Sequence, residues 1–391
     1  MAHFPAILVG GPPHSGKSVL VYRLTQALRK RKVDHYVLRA CPDGEGDWSQ
    51  EASPETVRVL RAKMPFTPEF VQAMCLDLQR RHLPLLVDMG GRPTPEQEAI
   101  LEHCTHAILL GPDAQALAWW RERAERYSLV ILAELHSSLT EPETLWDPGP
   151  PLRGRIHGLE RHRRAPGSPQ EAPVFWDLVE RVASLFQAVA QDARKLHLRS
   201  APAELTVDLD RLLHTWRPGA ASRWQPSDLP AFQSYLPRGE PLALYGRGPL
   251  WLFAAGAAHI FPAPFYQFDP RLGWVEALPL TPAPDRDLEA RTDLLWQVTE
   301  GPTWTHMTLH LPHAYIDYAQ LRDAKLPRLP TGHGTILSGK LPLWIYTGLV
   351  RAYHDLPWIA VAYPPQEVAV VVHSQDPAHP VGHTLPLPSL S

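Results

Sequence analysis

Residues 6–18 read Ala-Ile-Leu-Val-Gly-Gly-Pro-Pro-His-Ser-Gly-Lys-Ser, an apolar segment running into G-x-x-x-x-G-K-S at Gly11–Ser18. A helical pattern follows, with Val19, Leu20, Leu24 and Leu28 on one stripe and Arg29-Lys30-Arg31-Lys32 at its end. Strand, glycine-rich loop and helix in this order make a phosphate-binding loop. Backbone N–H groups of the loop and the positive end of the helix dipole capture an anion. The expected nucleotide set is Gly11, His14, Ser15, Gly16, Lys17 and Ser18. Lys17 reaches the β- and γ-phosphates of ATP, and the Ser18 hydroxyl ligates Mg²⁺. In an empty loop Lys17 is expected to stand exposed.

Working outward, Leu83–Asp88 is an apolar strand ending in an acid, and Gly90-Gly91 follows it. Asp88 is the expected second Mg²⁺ ligand, across from Ser18. Further strands are predicted at Tyr36–Arg39, Ala107–Leu110, Leu129–Ala133 and Arg155–Leu159. Helices are predicted at Pro68–Arg81, Pro95–His103 and Val174–Gln187, and 142–151 reads as turn. Alternation of this kind implies an α/β fold, a parallel sheet with helices on both faces. The acids Asp43, Glu45 and Asp47 suit either a loop approaching the nucleotide or a solvated turn. The arginines at 153, 155, 161, 163 and 164 suit either a charged strand edge or a phosphate clamp.

The whole chain has 391 residues, enough for two or three domains. Its net charge of −3 gives no general attraction to DNA or a membrane surface. Three scattered cysteines form neither a metal pattern nor a disulfide framework, which fits a reducing cytoplasm. The chain enters a strand almost at once, so no secretory leader is expected. The uncharged stretch 248–268 is broken by prolines and reads as a short buried helix followed by a buried strand.

The second half repeats itself. Leu244-Tyr-Gly246-Arg-Gly-Pro249-Leu250-Trp251 corresponds to Leu337-Ser-Gly339-Lys-Leu-Pro342-Leu343-Trp344, with glycine, proline, leucine and tryptophan each 93 residues apart. Pro264 and Pro357 keep the same offset. Two tandem α+β repeats facing each other as an internal pseudo-dimer are expected. The resulting domains are a nucleotide-binding domain at 1–190, a first repeat at 196–287 and a second at 290–391. Gly246 and Gly248 allow close backbone approach to a ligand. Asp269 and Arg271 follow a buried strand, where Arg271 suits a phosphate and Asp269 a metal or a 2′-hydroxyl.

Gly-Arg-Gly-Pro-Leu-Trp, a helix, and then Pro-Phe…Asp-Pro-Arg-Leu-Gly resemble the CRISPR-associated Csx-three family of metal-dependent ring nucleases. The resemblance covers about residues 200–285 with a specific motif and 300–391 with a decayed one, and the carry-over of site residues is partial. It implies recognition and cleavage of cyclic tetra-adenylate, with Gly246, Arg247, Gly248, Gly339 and Lys340 in the messenger site. Asp269 and Arg271 match the family's catalytic aspartate and arginine, and Asp269 the metal position. The catalytic histidine corresponds to His354 by spacing in the second copy, or to the displaced His259 in the first. The second copy reads Ala362-Tyr363-Pro364-Pro365-Gln366 where the Asp-Pro-Arg motif should stand. Some family members are fused to a P-loop, AAA-like ATPase domain, which the first half resembles. The expected cofactors are ATP with Mg²⁺ or Mn²⁺. The expected assembly is a cytoplasmic homo-oligomer that binds cyclic tetra-adenylate. Alternatives are a messenger-sensing ATPase without nuclease activity, or a small-molecule kinase with a regulatory second half.

Overall fold

The computed structural model describes residues 4–42, 57, 64–161, 167–218, 223–284, 293–322 and 324–387. The acidic segment at Asp43, Glu45 and Asp47, and Arg163 and Arg164, lie outside these. Two units emerge. Unit 1 holds the described residues of Met1–Glu51, Ala62–His197 and Pro270–Leu272, and unit 2 those of Ala52–Arg61, Leu198–Asp269 and Gly273–Ser391.

Unit 1 runs β1 (Ala6–Gly10), α1 (Lys17–Lys30), β2 (Tyr36–Ala40), α2 (Pro68–Arg80), β3 (Leu85–Met89), a 3₁₀ helix (Gln97–His103), β4 (His106–Gly111), α3 (Ala114–Arg126), β5 (Val130–Ser138), β6 (Thr144–Asp147), β7 (Leu152–His157) and α4 (Pro173–Arg199). The sheet order is β2-β3-β1-β4-β5-β7-β6, parallel throughout except for β6 at the edge. Ile7 and Val9 face a core shared with α1 and α4, through Leu20, Leu24, Phe175 and Phe186. On the other face Gly10 sits against the Trp120 ring of α3, where a Cβ would come within 2.6 Å. Helices therefore cover both faces, as parallel strands require. Caps fix the helix starts: Thr67 accepts from the Phe70 N–H at 3.2 Å, and Asp113 from the Ala116 N–H at 2.7 Å.

Three expectations need correction. The turn-rich stretch 142–151 contains β6, a four-residue edge strand flanked by prolines and paired antiparallel with β7. The last strand lies at Leu152–His157 rather than 155–159. The helix expected to end at Gln187 continues to Arg199, because Ala190, Ala193 and His197 extend its buried stripe.

Unit 2 runs β8 (Leu205–Asp208), α5 (Leu209–Trp216), α6 (Leu229–Tyr235), β9 (Leu242–Tyr245), α7 (Leu250–His259), β10 (Phe265–Asp269), β11 (Gly273–Glu276), β12 (Thr281–Ala283), β13 (Leu295–Glu300), β14 (Trp304–His310), β15 (Lys325–Pro327), β16 (Gly334–Gly339), α8 (Leu343–Ala352), β17 (Trp358–Tyr363), β18 (Val368–Ser374) and β19 (Thr384–Pro386). One sheet is β11-β10-β9-β8, another is β13-β14-β16-β17-β18-β19, and β12 pairs with β15. The segments β8-β9-α7-β10-β11 and β14-β16-α8-β17-β18 share strand order and direction: two parallel pairings, then one antiparallel. Helices α7 and α8 each have ten residues. They pack against each other, and α7 also packs on β17 and β18. That is why residues 251–258 are buried all round. The uncharged stretch at 248–268 is this helix and β10. Among the described residues no helix is long and apolar enough to cross a membrane.

Gly334 opens β16 directly beneath the Trp358 indole, and a Cβ there would overlap the ring. Gly334→Ala should therefore destabilise unit 2 by about 1–3 kcal/mol. Trp358→Leu in the same chain should recover part of the loss. Urea unfolding followed by tryptophan fluorescence measures both, and an unchanged midpoint in Gly334→Ala would contradict this packing.

Candidate functional site

In unit 1 the loop after β1 is wound around one carbonyl. The Pro12 C=O accepts from the Ser15 N–H at 3.4 Å, the Ser15 hydroxyl at 2.9 Å and the Lys17 ammonium at 2.7 Å. Gly16 has φ +89°, and a Cβ there would meet Leu159 at 2.6 Å, so both conformation and space demand glycine. Helix α1 has no acid in its first turn and Arg29 and Lys30 in its last, which leaves its positive end free to face an anion.

Lys17 is only 7% exposed, contrary to the exposed lysine expected of an empty loop. Its ammonium folds back onto Pro12 and is also held by the field of Asp88. Burial pulls its pKa down to about 8, against the opposing pull of Asp88 and then Cys41. Asp88 is buried on β3, in register with Val9 of β1 on one side and Arg39 of β2 on the other. Its carboxylate makes an ion pair with the Arg39 guanidinium. The buried Asp88 carboxylate on β3 and the half-buried Ser18 hydroxyl in the first turn of α1 are both oxygen donors, the ligand type that Mg²⁺ takes.

Beside the loop lies a cavity of about 180 Å³. Its walls are Pro13, His14, Ser15 and Gly16 from the loop, Pro112 after β4, Ser137 and Leu139 at the end of β5, and Leu159 and Glu160 after β7. It sits at the carboxyl ends of the parallel strands, where open α/β sheets bind ligands. The arginines of β7 answer to neighbouring acids. Arg153 pairs with Glu134 at 2.9 Å and Asp147 at 3.4 Å, and Arg155 with Glu141 at 2.7 Å. These are strand-edge ion pairs rather than a phosphate clamp.

In unit 2, Gly246-Arg247-Gly248 links β9 to α7, and Gly339-Lys340 links β16 to α8. Gly246 has φ +98°, and a Cβ would lie 2.6 Å from Asp210 Oδ2. The same carboxylate accepts the Arg247 N–H at 3.3 Å. The first copy therefore places an acid of α5 against the loop expected to receive phosphate. Gly339 has φ +138° and lies against the Leu309 carbonyl, while Lys340 is exposed.

Asp269 closes β10 and is buried. Two residues on, Arg271 belongs to unit 1, with its Nη1 3.8 Å from Asp77 Oδ2 of α2. The expected phosphate-binding arginine thus faces a buried carboxylate. His259 ends α7, with Nε2 3.1 Å from the Leu236 C=O. His354, just beyond α8, is stacked between Phe261 and His373, with ring centroids 4.6 and 4.1 Å away. Burial lowers the pKa of both His259 and His354.

These histidines do not share a site with Asp269 within one chain. Helix α7 starts beside the end of β9, and β10 starts beyond its far end. His259 and the His354 stack lie at the carboxyl end of α7, while Asp269 lies near its start, about 15 Å away by helix rise. Among the described residues, no three His, Cys, Asp or Glu side chains converge as a metal site.

Sequence reasoning missed Arg39, Asp210, His373, and the Leu139–Leu159 walls of the cavity. Of these only Arg39 carried a signal, as a charge at the end of a strand whose neighbours are apolar.

Residues 309–386 match the family model described as CRISPR-associated protein (Cas_csx3). The match runs from the end of β14 into β19. It therefore falls on the second copy, which carries His354 and lacks the Asp-Pro-Arg motif, and this part of the chain is similar to a CRISPR-associated family.

The His354–His373 stack has a pH consequence. Burial, then the nearby His354, push the His373 pKa down to about 4. The folded protein prefers neutral His373, so this stability is present above about pH 6.5 and is lost as pH falls toward 4. His373→Phe should flatten the pH dependence of unfolding free energy in this window, by at most about 1.4 kcal/mol per pH unit for one proton. Urea titrations at pH 7, 6 and 5 test it, and parallel curves for the two proteins would contradict it.

Proposed function

We propose that this chain is a CRISPR-associated nucleotide-binding protein: unit 1 binds ATP with Mg²⁺, and the duplicated repeats of unit 2, acting as an internal pseudo-dimer, bind cyclic tetra-adenylate. The observation that carries the nucleotide half is the loop wound on Pro12, with a buried lysine at its centre and a cavity opening beside it. The cavity is smaller than a pocket for a whole drug-sized ligand. It suits one part of a nucleotide, the base or ribose, with Leu139 and Leu159 as apolar walls. The phosphates lie along the loop, received by its N–H groups and by Lys17 turning from the Pro12 carbonyl. Ser18 and Asp88 would hold Mg²⁺, which would neutralise phosphate charge.

The messenger half rests on the resemblance of the repeats, on the family match over 309–386, and on the twofold layout of β9-α7-β10 and β16-α8-β17. A ring of four phosphates suits a face with two equivalent loops. The role supported best is that of a messenger-binding ATP switch in a type III CRISPR system.

Ring cleavage is a second reading, favoured by Asp269 at the end of its motif strand. A ribose 2′-oxygen would attack the adjacent phosphorus and give its proton to a histidine kept neutral by burial. The P–O5′ bond would break to leave a 2′,3′-cyclic phosphate, and the 5′-oxygen would leave as a hydroxyl by taking the proton back from the histidinium. Because α7 separates Asp269 from His354, a site using both takes them from two chains of a homo-oligomer.

Lys17→Ala should weaken ATP binding by about 10- to 100-fold, the loss of one charge-assisted contact, and leave cyclic tetra-adenylate binding intact. Calorimetry with each ligand tests both, and unchanged ATP affinity would remove the nucleotide assignment.

Labelled cyclic tetra-adenylate, incubated with ATP and Mg²⁺ or Mn²⁺, separates switch from nuclease. The switch reading expects the ring to be bound and recovered intact. If the ring is cut, Asp269→Ala and His354→Ala should each be inactive, and mixing them should restore part of the cleavage. A dead mixture would show that the two residues do not meet between chains.

A further inference from the structure

The ion pair between Arg39 and Asp88 has no role in the reading above, yet it occupies the carboxylate assigned to Mg²⁺. The two residues stand opposite each other on β2 and β3, with side chains 17% and 7% exposed. Asp88 is one strand removed from β1, and its charge reaches Lys17. Among the described residues, Lys17, Asp88 and Arg39 thus meet near the carboxyl edge of β1, β2 and β3. A carboxylate this buried is costly unless paired. It cannot serve a guanidinium and a divalent cation equally at once, since both draw on the same negative charge.

We infer that Arg39 is a counter-charge for Asp88: it compensates the carboxylate while no metal is bound, admitting the phosphate chain of a nucleoside triphosphate, and it yields the carboxylate to Mg²⁺. The inference rests on the nucleotide reading of unit 1. Arg39 is a positioning residue here and acts through Asp88. Without Arg39, the carboxylate loses one compensating cation and repels incoming phosphate more strongly in the absence of metal. With Mg²⁺ present, the same carboxylate has lost one competitor for the ion. The signature is a change in the coupling between metal and nucleotide, distinct from a uniform loss of affinity.

The experiment measures the Kd of ATP by calorimetry, with EDTA and with Mg²⁺, for the full chain and its variants. Arg39→Gln should raise the ratio of metal-free to Mg²⁺ Kd by about tenfold or more, the scale of one close charge pair. The Mg²⁺ concentration giving half-maximal binding should fall. In the Asp88→Asn background the same substitution should leave the ratio unchanged. Arg39→Lys keeps the charge and should hold the metal-free Kd within about threefold of wild type, which provides a test even if Arg39→Gln fails to fold.

An equal loss with and without Mg²⁺ would make Arg39 a plain phosphate ligand and overturn the inference. So would an unchanged ratio in Arg39→Gln, or a tenfold metal-free loss in Arg39→Lys. If wild type binds no ATP in either condition, the nucleotide reading fails and takes this inference with it. If wild type binds and only the ratio refuses to move, this inference alone fails.

Discussion

A buried ammonium beside a buried carboxylate constrains unit 1 more than any other interaction. Lys17 is drawn under the loop, where water cannot serve it, so the Pro12 carbonyl must. That carbonyl can point inward only if the chain turns sharply around it, and the left-handed Gly16 provides the turn. Helix α1 then begins at Lys17, with its free N–H groups facing the same space. Across the edge, Asp88 is held in place by the register of β1 and β3, and by Arg39 from the register of β2 and β3. The site is thus built from strand register and one inward carbonyl. Lys17 and Arg39 both answer to the Asp88 carboxylate, and a ligand with both phosphate and a divalent cation brings the same two signs in another arrangement.

Unit 2 solves a different problem. A ten-residue helix such as α7, apolar on every side, cannot remain on the surface of a single sheet. Gly256 lets it lie against Leu244 and Phe265 of its own copy, while its other side rests on α8 and the strands of the second copy. Each copy therefore completes the core of the other, which accounts for the conservation of Gly, Pro, Leu and Trp at one offset within the chain. Those positions set the turn from strand to helix and fill the centre. The residues free to differ are the ones at the strand ends.

This distinction explains how much was legible beforehand. The strands of unit 1, the turn at Gly11–Gly16 that leads into α1, and the repeat depend on local pattern, and apolar runs, glycines and prolines report them directly. What escaped depends on partners far away in sequence. Lys17 looks like an exposed cation until Pro12 and Asp88 are seen beside it. Arg271 looks like a phosphate ligand until Asp77, nearly two hundred residues earlier, faces its guanidinium. The β6 strand hides among prolines because it needs β7 as partner to exist. His354 keeps the family spacing, but spacing along a chain does not reveal a ring packed between Phe261 and His373.

The divergence of the two copies follows from the same geometry. In a strand–helix–strand unit, a residue ending the second strand and a residue ending the helix lie at opposite ends of the layer. Asp269 at the end of β10 and His259 at the end of α7 obey this in the first copy, and α7 against α8 keeps His259 and His354 at one end. No rearrangement of side chains closes a gap of about 15 Å. The motif strand and the histidine can meet only by placing the end of one molecule against the opposite end of another. Without such assembly, the loops still present two glycine turns, at Gly246 and Gly339, related by the repeat.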